Sequence, residues 1–353
     1  MLVTTLIILA LLLFWVAAWW FGSGEDLSEW DHPAKGSGLE RFSRSGGPSA
    51  GHGQAEDDIR ALGNQVRGLS RKQRLLFARE FMEQIPEGRE FDCEFRPVDV
   101  GGSAAEWVLA PGADPARRVL YIHGGAFIAG SPNSHRTITS RWSEVAGAAV
   151  LAIDYRLMPE NRRTDGIEDC RTAYRWILEN GPDAAAPPRW LYVSGDSAGG
   201  NLSLALAAWA RDTGLRAPDG LVALSPLTDS THSGPSIRSN LATDAMLGPI
   251  DFLYCEDTQA SASAFFSYHS DDQRMDSPSL IPGIRAPVLV IAGSADTVVE
   301  GLVEKTEPLA DGERVQLVVI DGAGERAFCS GGDQRIRGDM GYKDDKGDMS
   351  LNV

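Results

Sequence analysis

Residues 190–212 read WLYVSGDSAGGNLSLALAAWARD, and the fold turns on this stretch. A β-rich run over 190–194 breaks at Gly195-Asp196-Ser197-Ala198-Gly199-Gly200 and passes into an apolar helical pattern from Asn201. The pattern predicts a strand, a sharp turn and a helix, with Ser197 at the apex. Small residues two before and two after the serine let strand and helix approach closely, while a strained backbone at the serine projects its hydroxyl. The helix start aims backbone N–H groups and the positive end of its dipole at the place where an oxyanion would form.

Strands and helices alternate on both sides of this turn. Strands are expected at 91–100 and 104–109 around the turn Gly101-Gly102, then at 118–122, 148–153, 190–194, 221–224, 288–291 and 315–320. Helices are expected at 137–146, 167–179, 201–211 and 302–309, and two more over 56–87, where Ser70 and Gln73 form a capping box. Such alternation predicts an α/β fold. A mostly parallel sheet is covered on both faces, begins with an antiparallel pair, and carries function at its carboxyl strand ends.

Directly after the strand at 118–122 comes His123-Gly124-Gly125-Ala126-Phe127. Two adjacent glycines at a strand end let the backbone turn N–H groups toward a ligand. With the N–H of Ala198, those of Gly124 and Gly125 would make an oxyanion hole for an ester carbonyl. His123 is expected to pin this loop, and the segment 154–160 (DYRLMPE) to brace it. Asp296 in Gly293-Ser294-Ala295-Asp296 ends a later strand, where a carboxylate would orient a catalytic imidazole.

Together HGGAF at 123–127, DYRLMPE at 154–160, GDSAGGNL at 195–202, SPL at 225–227, SPSL at 277–280 and GSAD at 293–296 resemble the hormone-sensitive-lipase group of the α/β-hydrolase superfamily. The resemblance covers roughly residues 90–325. It implies an α/β-hydrolase fold capped by N-terminal helices at 56–88 and a carboxylic ester substrate. Ser197 would be the nucleophile, Gly124, Gly125 and Ala198 the oxyanion hole, and Asp296 the acid. No metal or organic cofactor is implied.

One element of the group's pattern is absent. Its histidine lies in a turn after the last strand, and here that segment reads DGAGERAF, with Arg326 in the histidine slot. No histidine follows His269, and arginine does not accept a serine proton at neutral pH. His232 and His269, between serine and acid, read as loop residues. The group's closing helix is missing too, since residues 329–353 are glycine- and aspartate-rich without periodicity and are expected to be disordered. Joint loss of base and helix suggests a single event, such as a frameshift or an altered C-terminus. The alternative to an ester hydrolase is a non-catalytic hydrolase-fold protein that binds a small molecule.

Composition narrows the partners. The 353 residues carry a formal net charge of −16 with no basic stripe, which disfavours nucleic acid. The four cysteines show neither disulfide nor metal-ligand spacing, and Cys170 shares a helical face with Ile167, Tyr174 and Ile177. Residues 1–21 (MLVTTLIILALLLFWVAAWWF) lack any charged side chain. As a helix they would span about 30 Å, one bilayer core, with three tryptophans toward one end. The expected organisation is a transmembrane anchor at 1–22, a flexible linker at 23–55, a hydrolase domain at 56–328 and a tail at 329–353. The protein would sit in a membrane through its single N-terminal span, on a side the charges do not define.

Overall fold

Near-continuous apolar runs mark strands buried on both faces, and the middle of the chain has several. In the computed structural model, which describes residues 5, 12–16, 39–43, 50–227, 288–293 and 315–321, these runs form one nine-stranded sheet. Its strands are β1 (Leu39–Ser43), β2 (Glu94–Val100), β3 (Ser103–Leu109), β4 (Asp114–Ile122), β5 (Ala148–Ile153), β6 (Trp190–Asp196), β7 (Gly220–Leu224), β8 (Val288–Gly293) and β9 (Val315–Asp321). They lie in the order β1-β9-β8-β7-β6-β4-β5-β3-β2. The β2–β3 and β3–β5 pairs are antiparallel and every other pair is parallel. The α/β-hydrolase arrangement expected from the sequence is therefore present, including its antiparallel start.

Alternation along β4 divides the core. Leu120 and Ile122 face a cluster with Leu151, Leu191 and Val193 that also takes in Cys170, Tyr174 and Ile177 of α4 (Arg163–Ile177) and Leu202 and Leu206 of α5 (Ala198–Asp212). Val119 and Tyr121 face the other side, against Val150 and the α3 (Arg136–Ala146) residues Ile138 and Trp142. Full burial of one such side chain stabilises by about 1.5–3 kcal/mol. Cys170 is core as its helical spacing implied, and burial pushes its thiol pKa well up.

Two helices precede the hairpin, α1 (Ala50–Val66) and α2 (Arg71–Gln84). The predicted capping box starts α2: the Ser70 N–H donates to Gln73 Oε1 at 3.0 Å, and the Gln73 N–H to Ser70 Oγ at 3.4 Å. These are the two helices expected over 56–87, the first beginning earlier, at Ala50. Of the flexible linker expected at 23–55, the described residues form β1 and the first turns of α1, and the rest lies outside the described residues. Its Gly- and Ser-rich composition suggested coil, but five residues gain backbone partners along β9, with Leu39 opposite Leu317. The membrane-spanning helix expected at 1–22 lies largely outside the described residues, which include only 5 and 12–16 of that run; among the described residues no helix is long and apolar enough to cross a membrane. The helix expected at 302–309, the segment 277–280 and the tail at 329–353 lie outside the described residues.

Candidate active site

Ser197 stands between β6 and α5 with φ 51° and ψ −118°, a strained backbone for a residue with a Cβ. Its N–H donates to Leu224 O at 2.9 Å, and its carbonyl accepts from Leu227 N at 3.1 Å, so the end of β7 and the residues just after it hold the turn on both sides. Within 191–200 only Tyr192 and Ser197 escape burial. The flanking glycines are required by packing. A Cβ on Gly195 would lie 2.5 Å from the Gly199 carbonyl and from Ile122 O, and one on Gly199 would overlap Ile122 O. The close approach inferred from the Gly-x-Ser-x-Gly spacing is thus backbone against backbone, between β4, the turn and α5.

The glycine loop leaves β4 beside this turn, Ile122 being paired with Gly195. Gly125, Ala126 and Phe127 have φ of 110°, 55° and 64°, three successive residues in the left-handed region. A Cβ on Gly125 would run into Ala129 O. The strain in such a loop, about 1–3 kcal/mol per non-glycine residue, persists only where the surroundings hold it. The DYRLMPE segment does so. Tyr155 donates its hydroxyl to His123 O at 2.9 Å, and the Met158 N–H donates to Phe127 O at 2.8 Å. Arg163 lies over the Phe127 ring at 4.4 Å and donates to Asn201 Oδ1 at 3.0 Å, linking the loop to α5.

His123 takes the pinning role. It is buried, stacks on Tyr155 at 4.3 Å, and its Nδ1 lies 2.7 Å from Gly124 O. Burial, with the neighbouring His135, pushes its pKa down to about 3. The ring is therefore neutral at ordinary pH and Nδ1–H is the donor.

Gly124 is placed differently from the expectation. Its N–H points to Asp196 Oδ1 at 3.0 Å, because the loop packs so tightly on the serine turn that a Cβ at Gly124 would overlap that carboxylate. That donor is already committed, so of the three N–H groups expected to make the hole, those of Gly125 and Ala198 remain as candidates. Ser197, Ala198, Gly124 and Gly125 are brought together. Asp296, Arg326, His232 and His269 lie outside the described residues.

Asp196, to which the sequence reading assigns no role, is part of the site. Buried, it accepts the Tyr121 hydroxyl at 2.7 Å as well as Gly124 N–H, and His135 Nε2 lies 3.4 Å from the same oxygen. His135 was missed too; it sits in the short turn Asn133–His135, and nothing local in SPNSH marks it. Arg79 and Glu83, on α2, carry no motif, yet both bond to the glycine loop and its exit. Among the described residues no group of three or more His, Cys, Asp or Glu could hold a metal.

A serine on a strained strand-to-helix turn, beside a glycine loop on the neighbouring parallel strand, defines the hydrolase class of α/β folds. Residues 119–325 match the alpha/beta hydrolase fold family, and the chain belongs to it. Its curated relatives include an acetyl-hydrolase of Streptomyces hygroscopicus, 40% identical over 154 residues, which are 44% of this chain and 50% of the relative. Esterase LipU of Mycobacterium tuberculosis is 34% identical over 56% of this chain and 67% of its own length. Hormone-sensitive lipase of Bos taurus is 32% identical over 51% of this chain and 24% of its own length. The chain thus spans half of the first relative and about a quarter of the last. Among solved structures, EstE5 superposes with a TM-score of 0.63 at 29% identity, covering 78% of this chain and 89% of its own. The family resemblance drawn from the motifs is confirmed, and the relatives it finds carry the names acetyl-hydrolase, esterase and hormone-sensitive lipase.

Proposed function

We propose that this chain is a serine-dependent hydrolase of carboxylic esters of small molecules. The observation that carries the reading is Ser197 at φ 51°, beside a glycine loop held in a left-handed conformation on the adjacent strand. In this reading Ser197 Oγ attacks the ester carbonyl, the alcohol leaves, and water then releases the acid from the acyl-enzyme. The developing oxyanion is met by the N–H groups of Gly125 and Ala198, and such a donor is worth about 3–4 kcal/mol in the transition state. Asp296 is the acid by its place in the chain order serine then carboxylate. With Arg326 at the histidine slot, the serine proton has no imidazole there to receive it and passes to solvent, so turnover is slow. The test is release of p-nitrophenol from p-nitrophenyl butyrate by the full chain and by Ser197→Ala. Turnover removed by that substitution supports the reading. Equal rates from both proteins overturn it in favour of a binding protein.

The uncharged run at 1–21 supports attachment to a membrane by one N-terminal span. Full-length protein should then stay with membranes through high-salt and carbonate washes, while a chain starting at Glu56 should not. Recovery of the full chain in the wash overturns the anchor.

A further inference from the structure

The glycine loop is held from below by the serine turn and from above by the cap. Arg79, on α2, donates Nε–H to Ile128 O at 2.7 Å and Nη2–H to Met158 O at 2.9 Å. Met158 in turn donates its N–H to Phe127 O at 2.8 Å. One guanidinium therefore bonds both to the loop, just past its three left-handed residues, and to the strand-end segment that supports it. Glu83, one helical turn further along α2, takes the loop's exit. It accepts Ser131 Oγ–H at 2.5 Å and Asn133 Nδ2–H at 3.0 Å. From Ser131 the contacts run on through Ser134 Oγ (2.8 Å from Ser131 N) to His135 Nδ1 (2.8 Å). His135 Nε2 ends 3.4 Å from Asp196, the carboxylate that grips Gly124 N–H.

We propose that Arg79 and Glu83 are positioning residues of the oxyanion loop, so that the cap helix α2 sets where the Gly125 N–H points. The proposal rests on the hydrolase reading above. A purely adhesive role is the competing account: Arg79 also pairs with Glu160 at 2.7 Å and would simply glue cap to domain. That pair is a weak candidate for the whole effect, because Glu160 is 55% exposed and open ion pairs contribute about 0–1 kcal/mol. The bonds to carbonyl oxygens act where geometry matters most. A hole donor must sit about 2.7–3.1 Å from the oxyanion, and a misplacement of about 1 Å costs roughly a hundredfold in rate. Lysine distinguishes the two accounts. It retains the charge facing Glu160 but lacks the planar fork that reaches Ile128 O and Met158 O together.

The experiment uses the full chain with Arg79→Ala, Arg79→Lys and Glu83→Gln. Arg96→Ala is the matched control, since Arg96 likewise bonds a carbonyl (Pro182 O, 2.9 Å) and two carboxylates (Glu94, Asp183) far from the loop in sequence. Amide exchange over 124–131 should quicken by about tenfold or more in both Arg79 variants and stay unchanged in Arg96→Ala, with β4–β6 amides as the measure of global folding. The Ser197-dependent hydrolysis of p-nitrophenyl butyrate should lose roughly a hundredfold in kcat in both Arg79 variants, with KM within about twofold of the parent. Unchanged loop exchange, a KM rise at constant kcat, or full recovery of kcat in Arg79→Lys overturns the proposal. Should Arg79→Ala not fold, Arg79→Lys and Glu83→Gln carry the same comparison. A parent with no Ser197-dependent turnover means that the hydrolase reading has failed, and loop exchange alone then decides whether α2 positions the loop.

Discussion

The Gly124 N–H donates to the Asp196 carboxylate at 3.0 Å, so the residue before the serine holds the glycine loop of the neighbouring strand. Tyr121, on β4, donates to the same oxygen at 2.7 Å. Asp196→Ala would leave both donors without this acceptor, and a buried polar group so stranded costs about 1–3 kcal/mol. The expected loss is about 2–4 kcal/mol of unfolding free energy for Asp196→Ala and about 1.5–3 kcal/mol for Tyr121→Phe, read from urea midpoints. Midpoints equal to that of the parent would show that the carboxylate does not hold the loop.

Gly195→Ala should be strongly destabilising. Its Cβ would meet backbone atoms at 2.5 Å on two sides, from Ile122 and Gly199, and neither can move without parting β4 from α5. We expect a loss above about 4 kcal/mol, enough to remove soluble folded protein. A folded Gly195→Ala with a parent-like melting curve would contradict the close packing of the turn.

His123 gives the fold an acid-sensitive component. Its folded pKa of about 3 lies below the ordinary histidine value of about 6.5, so the unfolded chain binds the extra proton first. The stability from its neutral, buried ring is complete above about pH 6.5 and is lost as pH falls toward 3, at up to about 1.4 kcal/mol per pH unit. His123→Gln should be less stable than the parent at pH 7 and should flatten the slope of stability between pH 6 and pH 4, roughly by that amount. Parallel slopes for the two proteins would contradict a depressed histidine pKa.

Arg326 leads to a kinetic expectation. In a serine protease, removing the histidine alone costs on the order of 10⁶ in kcat, and about 10³-fold over water survives from the hole and binding. The parent should therefore hydrolyse activated short-chain aryl esters very slowly. Arg326→His alone should restore little, because the sequence that follows lacks the group's closing helix as well. Replacing 322–353 with an ending that carries both histidine and helix should restore far more. Turnover by the parent of tens per second, abolished by Ser197→Ala, would mean that another base reaches the serine, His232 or His269 first among them.

Much of this was legible because the signals are local. The edges of β5 match the apolar run 148–153, and the serine turn follows from its glycines. Other features depended on distant partners. Helix α5 starts at Ala198 rather than Asn201, since glycines are poor helix formers by propensity, yet here their smallness admits Ile122 O and Pro226. Helix α4 starts at Arg163, before the predicted 167, with Gly166 packed under Arg156 O. In the site, Ser197 and the glycine loop carry motifs. Arg79, Glu83 and His135 do not: a polar residue on an amphipathic helix reads as a solvated face until its partner, 49 residues away for Arg79 and Ile128, is known.

The strand order has a mechanical consequence. β1 lies at one margin of the sheet and β2 at the other, while α1 and α2 connect them in the chain. Eight interstrand steps of about 4.8 Å make the sheet roughly 38 Å wide, and the cap segment must bridge that width. The cap is therefore not a flap on one hinge but a strap buckled at both ends, to β9 through β1 and to β3 through β2. Lifting it away would require one buckle, the β1–β9 or the β2–β3 pairing, to open.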